Sequence, residues 1–380
     1  MRVLSHPALR RAAKDTAAVA AHYSGLRQAV ASYQRLLAGG RRVLIVSYHR
    51  VVEDYRMELQ RSIPGLLISR DTFRRHLEEA HRSGYRLASL EDALEVLAGR
   101  RRAARDLCVV TFDDGYRDVY RHAFPVLKAM GVPATMYLPA AVVGTSGRFN
   151  HDRVFHLAQV AARRGTLPRV DGPAGTLLER AARGPAALSA ALDEYLGEHR
   201  TAELVALIGD LERALEGGSE PLLPEAGDVM SWDEAREMLR AGVFSFGAHT
   251  LGHCVLTAES EAVVDREVRG SREWIERELG VPCLDFAYCN GWYSDLVVQV
   301  LVRNGFRSAV TTEDLPNAIG GDPYALRRKV LGENFSLGLD GTYSSPLTAC
   351  QLDGLFGALG MSRPVPGRRP HRAPGASPSP

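Results

Sequence analysis

Leu107-Cys108-Val109-Val110-Thr111-Phe112-Asp113-Asp114-Gly115-Tyr116 is the stretch on which the reading of this chain turns. Its first part is short, apolar and rich in β-branched side chains, which suits a buried strand better than a helix. Asp113 and Asp114 then sit where that strand empties into a loop, and Gly115 lets the backbone turn sharply. Successive side chains on a strand point to opposite faces, so the two carboxylates should meet different partners. One buried carboxylate is costly, and two side by side cost more unless a cation or proton offsets them. A metal ion resolves this.

A second stretch supplies further ligands. Phe244-Ser245-Phe246-Gly247-Ala248 is another strand-like run, and it ends in His249-Thr250-Leu251-Gly252-His253. Two imidazoles four positions apart around a glycine can converge on one ion from a loop. One carboxylate oxygen and two imidazole nitrogens leave positions open for water and substrate, the layout of a catalytic rather than a structural site. Zn²⁺ suits this ligand set best, with Co²⁺, Ni²⁺ or Fe²⁺ as substitutes.

These two motifs, in this order, resemble the NodB-homology polysaccharide deacetylases of carbohydrate esterase family 4. Thr111 to Tyr116 matches the family's Thr-Phe-Asp-Asp-Gly motif and His249 to His253 its His-Ser/Thr-x-x-His motif. The resemblance runs from about Val43 to Val330. It implies an α/β fold, a distorted (β/α) barrel with the site at the strand C-termini, and hydrolysis of N-acetyl groups on a sugar of the N-acetylglucosamine type. By the family pattern Asp113 is the catalytic base, while Asp114, His249 and His253 hold the metal.

A third motif, Phe286-Ala287-Tyr288-Cys289-Asn290-Gly291, matches the family's site-lining loop with a departure. Many members carry an Arg there that orients the base; this chain resembles branches that lack it, with Cys289 in a Pro position. Arg117 and Arg328 are the candidates to replace that contact. The resemblance assigns Tyr288, Asn290 and Gly291 to the substrate loop, with the Asn290 N–H as oxyanion donor. No late Leu-x-His motif supplies the acid that protonates the leaving amine. Val43 to Val51, with Tyr48-His49, resembles the opening strand of poly-N-acetylglucosamine deacetylases, which makes His49 the candidate acid. His122, His151, His156 and His371 fall outside every matched motif and read as solvated or structural. Two alternatives stay open: hydrolysis of another amide or ester, and an inactive carbohydrate-binding homologue.

Composition bounds the rest. The chain has 380 residues, 45% hydrophobic and 24% charged, enough for one large core with a smaller subdomain. A net charge of +2 gives no dense basic face for nucleic acid. No run approaches the ~18 apolar residues of a membrane span. Met1 to Lys14 has no apolar core or cleavage site, so a cytoplasmic protein is expected. Five cysteines without a C-x-x-C pair read as reduced thiols. A nucleophilic role for Cys289 lacks a dedicated base.

Organisation is legible along the chain. Val19, Tyr23, Leu26, Val30, Tyr33 and Leu37 recur at alternating four and three, which predicts one amphipathic helix over Pro7 to Leu37, ended by Gly39-Gly40. Within 1–40 that helix is expected to dock on the barrel or on a second subunit. From Arg41 to 345, β-rich runs alternate with helices such as Asp71 to Ser83 and Leu90 to Ala98. Between Asn150 and Met230 the alternation gives way to helical sequence, an insertion on the loop side that either caps the site mouth or packs as a plain subdomain. The Pro- and Arg-rich tail, 361–380, is expected to be disordered.

Overall fold

Among the described residues ten short strands carry the fold, and their pairings are all parallel. The computed structural model describes residues 7–59, 62–164, 172–216, 229–361 and 367–371. The strands are β1 (Val43–Tyr48), β2 (Arg50–Val52), β3 (Leu67–Ser69), β4 (Arg86–Ala88), β5 (Leu107–Phe112), β6 (Ala134–Leu138), β7 (Phe244–Ala248), β8 (Asp285–Ala287), β9 (Ser308–Val310) and β10 (Arg328–Val330). The main sheet runs β10-β1-β5-β6-β7-β8-β9. β5 pairs with β1 along its whole length; β4 takes its other edge over the first half and β6 over the second. A bridge from Val310 to Leu326, with the Thr311 N–H donating to the Leu326 carbonyl at 2.7 Å, brings β9 to the segment leading into β10. The sheet thus curls into a nearly closed, distorted barrel of the α/β kind the resemblance implies.

Parallel strands need crossover connections, and helices supply them. Arg70–Arg82, Leu90–Leu97, Trp232–Arg240 and Asp295–Arg303 each begin after a serine (Ser69, Ser89, Ser231, Ser294) whose hydroxyl accepts a first-turn N–H. Each such cap stabilises its helix by about 1 kcal/mol.

The period-2 rule sorts the barrel's residues. Val43 and Ile45 of β1 and Leu107 and Val109 of β5 pack inside with Tyr137, Ala287, Val310 and Leu326. Leu90, Ala93, Leu94 and Leu97 join that cluster, so helix Leu90–Leu97 closes the end where the strands start. The alternate residues, Val46, Tyr48, Cys108, Val110 and Phe112, face the outer helices instead. Extended by the same parity, Ser47, His49, Thr111 and Asp113 fall on the inner face at the open end.

The N-terminal segment departs from the expected single helix. It forms two, Pro7–Ser24 and Leu26–Leu37, broken at Gly25, whose φ of +83° is left-handed. The expected stripe is also not the buried face: Val19, Tyr23, Leu26, Tyr33 and Leu37 are exposed, while Ala18, Ala21 and Ala31 are buried. Ala18 and Ala21 pack with Leu347, Cys350 and Phe356, so the first helix docks on helix Ser345–Leu352 through its small residues. Small side chains allow backbones to approach closely, and close packing here outweighed the larger apolar stripe.

Among the described residues the inserted segment builds four helices, Asn150–Arg164, Gly172–Ala182, Pro185–Glu198 and Thr201–Ala214. They surround their own core of Val154, Phe155, Leu177, Leu188, Leu192, Leu207 and Leu211, separate from the barrel core. The tail is ordered where it is described: Gly367 to His371 lies along Tyr293, with the Tyr293 N–H donating to the Gly367 carbonyl at 2.9 Å and the Arg369 N–H to the Tyr293 carbonyl at 2.8 Å. These five residues of the tail expected to be disordered are held by backbone groups, which pair without a hydrophobic core. Residues 362–366 and 372–380, on which the rest of that expectation falls, lie outside the described residues, as do 217–228 of the insertion. No described helix is long and apolar enough to cross a membrane.

Candidate active site

The strand ends bring His49, Asp113, Asp114, His249, His253, Tyr288, Asn290 and Gly291 to the wall of one cavity of about 800 Å³. A smaller cavity of about 240 Å³ at the start of β1, lined by Tyr33, Leu37 and Leu315, holds none of them. Four described non-glycine residues have a left-handed backbone: Asp114 (φ 72°), Thr250 (65°), His253 (61°) and Asn290 (56°). All four belong to the three motifs, in keeping with the concentration of unfavourable backbone at functional sites. Gly115 (φ +70°) completes the turn, and a Cβ there would lie 2.7 Å from Leu138.

The two carboxylates do face different partners. Asp113 continues the inner parity of β5 and meets Arg328, whose Nη1 and Nη2 donate to its two oxygens at 2.8 and 2.7 Å. Arg328 is wholly buried and also donates from Nη1 to the Thr111 hydroxyl at 3.2 Å and from Nε to the Thr311 carbonyl at 3.0 Å. Burial alone would raise the Asp113 carboxyl, but the Arg328 guanidinium overrides it and holds it below the ordinary carboxylate range. Of the two candidate arginines, Arg328 is the one that contacts Asp113. Arg117 does not; it pairs with Glu234 at 3.1 Å. His49 Nε2 stands 3.8 Å from Asp113 Oδ2, and its buried Nδ1 has no hydrogen-bond partner among the described residues.

Asp114 turns the other way, towards the imidazoles. Its Oδ1 lies 3.1 Å from His253 Nε2 and 3.5 Å from His249 Nε2. That oxygen is buried and accepts no hydrogen bond. His249 Nδ1 is 2.7 Å from the Ala287 carbonyl, which fixes the N–H on Nδ1 and aims the Nε2 lone pair at Asp114. Burial lowers His249 to about 4, so it is the neutral, ligating form near neutral pH. Burial also opposes charge on His253, but Asp114 beside it outweighs this and raises it. An orphaned buried carboxylate oxygen facing two imidazole nitrogens fits a divalent ion, which Asp114, His249 and His253 would hold.

Cys289 also lies near, with His249 and His253, close enough for one ion to be shared among all three. Its sulfur, however, is 3.9 Å from His249 Nδ1, the nitrogen already committed to Ala287. It therefore backs the imidazole from behind. Burial pushes its thiol well above the ordinary range, which removes it as a nucleophile.

The third motif forms the remaining wall. Tyr288 is buried and donates from its hydroxyl to the Tyr324 carbonyl at 2.9 Å. The Gly291 N–H donates to the Tyr288 carbonyl at 2.8 Å, closing a tight turn around Asn290. A Cβ at Gly291 would fall 2.1 Å from Thr312 Oγ1, so the turn tolerates glycine alone.

A sequence profile of polysaccharide deacetylases matches residues 100–164 and 182–309, about half of the chain, including Asp113, Asp114, His249, His253 and the third motif. The chain belongs to the polysaccharide deacetylase family. YxkH of Bacillus subtilis (strain 168), which is named for that family, is 29% identical over 95 residues, 25% of this chain and 34% of its own length. The chain thus matches about a third of that relative. Among solved structures, IcaB from Ammonifex degensii is similar over 83% of this chain and 98% of its own, with a TM-score of 0.53 and 20% identity. The Streptococcus pyogenes deacetylase PplD covers 79% of this chain and 96% of its own, at a TM-score of 0.51 and 17% identity. These likenesses describe the barrel fold.

Several residues of this deacetylase-family site had no motif to announce them. His151, read from sequence as solvated or structural, is buried in the cavity wall, its ring centroid 4.9 Å from that of His253 and its Nε2 3.2 Å from the Tyr116 hydroxyl. The spacing of His151 from Asp114 carries no periodic signal, because a helix from the insertion delivers it. His371 also has a partner, the Ser294 hydroxyl at 3.1 Å. His122 stays near the surface and His156 is buried in helix Asn150–Arg164.

Proposed function

We propose that this chain is a metal-dependent hydrolase that removes the acetyl group from an N-acetylated sugar of a glycan, of the N-acetylglucosamine type. The observation that carries this reading is the division of labour between neighbouring carboxylates. Asp113 is held by Arg328 and stands near His49, while Asp114 faces two Nε2 lone-pair positions. Asp114, His249 and His253 would hold a divalent ion, with Zn²⁺ favoured by the donor set, and the chemistry it would supply there is polarisation of a carbonyl and a lowered pKa of water.

Asp113, kept ionised by Arg328, takes the proton of the attacking water. Addition to the acetyl carbonyl places negative charge on its oxygen, towards which the Asn290 N–H is directed in this reading. His49 then gives a proton to the sugar nitrogen as the carbon–nitrogen bond breaks, leaving acetate and a free amine. His49 and Asp113 lie on one inner face, 3.8 Å apart, which supports a shared base-and-acid role across a single reacting carbon. Acetate release from N-acetylglucosamine oligomers, with and without chelator, tests the reading. Release that stops on chelation and returns with added Zn²⁺ is expected; release indifferent to chelation would contradict it.

A further inference from the structure

We propose that His151 is a specificity-determining residue: its Nδ1 accepts a hydrogen bond from a hydroxyl of the sugar unit being deacetylated, so the site selects a sugar on which that hydroxyl is free. This rests on the deacetylase reading above and adds a group on the sugar ring that the protein reads.

His151 is the second residue of helix Asn150–Arg164 and is 7% exposed. Its ring stacks on Phe149, with centroids 5.2 Å apart and planes 13° from parallel, and lies 4.9 Å from the ring of His253. His253 Nε2 in turn faces Asp114 Oδ1 at 3.1 Å. An acetamido group reacting beside Asp114 and His253 therefore brings the hydroxyls of its own sugar ring up to His151.

A chain of three groups fixes the protons in this corner. The Tyr116 hydroxyl donates to Asp152 Oδ2 at 2.7 Å. A carboxylate only accepts, and burial pushes the Tyr116 phenol well above its ordinary range, so the hydroxyl proton is committed to Asp152. His151 Nε2 lies 3.2 Å from the same Tyr116 oxygen and 3.7 Å from Asp152 Oδ1, so it must be the donor of its pair. The neutral imidazole has one N–H, and here it is spent on Tyr116. Nδ1 is left as a lone-pair acceptor.

That acceptor is unused. Nδ1 has no hydrogen-bond partner among the described residues, yet, unlike the Nδ1 of His49, it is not sealed from solvent. His151 borders the cavity of about 800 Å³ that holds Asp113 and Asp114, and a pocket of about 20 Å³ beside it that shares His253 and Asn290. A partnerless acceptor in the wall of a binding cavity discriminates by requiring a donor. A sugar that lacks the O–H displaces water from it and leaves it unpaired.

The test uses short N-acetylglucosamine oligomers in which each hydroxyl of the reacting unit is replaced in turn by hydrogen, with acetate release and metal content measured on wild type and His151→Phe. Wild type should lose ~10–100-fold in kcat/KM at one position. His151→Phe keeps the ring on Phe149 but offers no acceptor. It should retain its ion, lose ~10–100-fold on the unmodified oligomer and lose nothing further when that one hydroxyl is removed. A wild-type scan in which no position costs ~10-fold would overturn the role of His151 without any variant. So would a His151→Phe protein with the wild-type cost at the same position, or one that loses its ion, which would make His151 a support for His253. Wild type that releases acetate from no oligomer, modified or not, would overturn the parent reading instead.

Discussion

Asp113 and Asp114 are adjacent in the chain yet live in opposite surroundings, and one strand's parity explains it. Leu107, Val109 and Thr111 point into the barrel, so Asp113 does too; the left-handed turn at Asp114 then swings the next carboxylate out towards the imidazoles. Both could be picked out in the sequence because a motif is local. Arg328 could not be singled out: it meets Asp113 across 215 positions, and only the folded barrel brings the two together. It was one of two arginines in view, and the other, Arg117, belongs to Glu234. Replacing Arg328 by Ala leaves a buried carboxylate without its cation and should cost about 3–5 kcal/mol of stability. Arg328→Lys keeps the charge but loses the fork that grips both oxygens. It should fold and retain metal, yet turn over ~10–100-fold more slowly, because the base is no longer held in place. Thermal unfolding and kcat on the same preparations check this; near-wild-type turnover of Arg328→Lys would remove Arg328 from the mechanism.

At the scale of elements, the helices and strands with clear periodicity were legible and the faces they bury were less so. Helices Arg70–Arg82 and Leu90–Leu97 lie within a residue of the expected spans, because serine caps and glycines punctuate them. The N-terminal helices show the limit: the larger apolar stripe was visible, but docking on helix Ser345–Leu352 chose the alanines. Helix Arg70–Arg82 yields a prediction. Its His76 is buried between the Tyr48 hydroxyl, 3.1 Å from Nδ1, and the Ser336 hydroxyl, 2.5 Å from Nε2. Burial lowers its pKa to about 3, so the folded state holds it neutral. An unfolded histidine titrates near ~6.5. Between those values the unfolded chain binds the extra proton, so this residue's contribution to stability is present above about pH 6.5 and is lost as pH falls, at up to about 1.4 kcal/mol per pH unit. His76→Gln should therefore lose less stability than wild type between pH 7 and pH 5 in urea unfolding. Equal losses in the two proteins would contradict the assignment.

For the whole molecule, the barrel and its motif-bearing strand ends were readable, since each motif follows a short apolar run. The assembly around the mouth was not. That the insertion is helical shows in its composition, but whether it caps the site depends on contacts such as Gly197 on Trp292, which no spacing encodes. The tail's pairing with Tyr293 is equally silent, being made by backbone groups that every residue has. The claim that holds the account together is that Asp113 acts on protons and Asp114 holds the ion. Metal content and acetate release measured side by side on Asp113→Asn and Asp114→Asn test it most directly. Asp113→Asn should keep its ion in full and lose ~10²–10⁴-fold in deacetylation, whereas Asp114→Asn should lose the ion itself. An Asp114→Asn protein that retains its ion while Asp113→Asn is stripped of it would reverse the two roles and contradict the account.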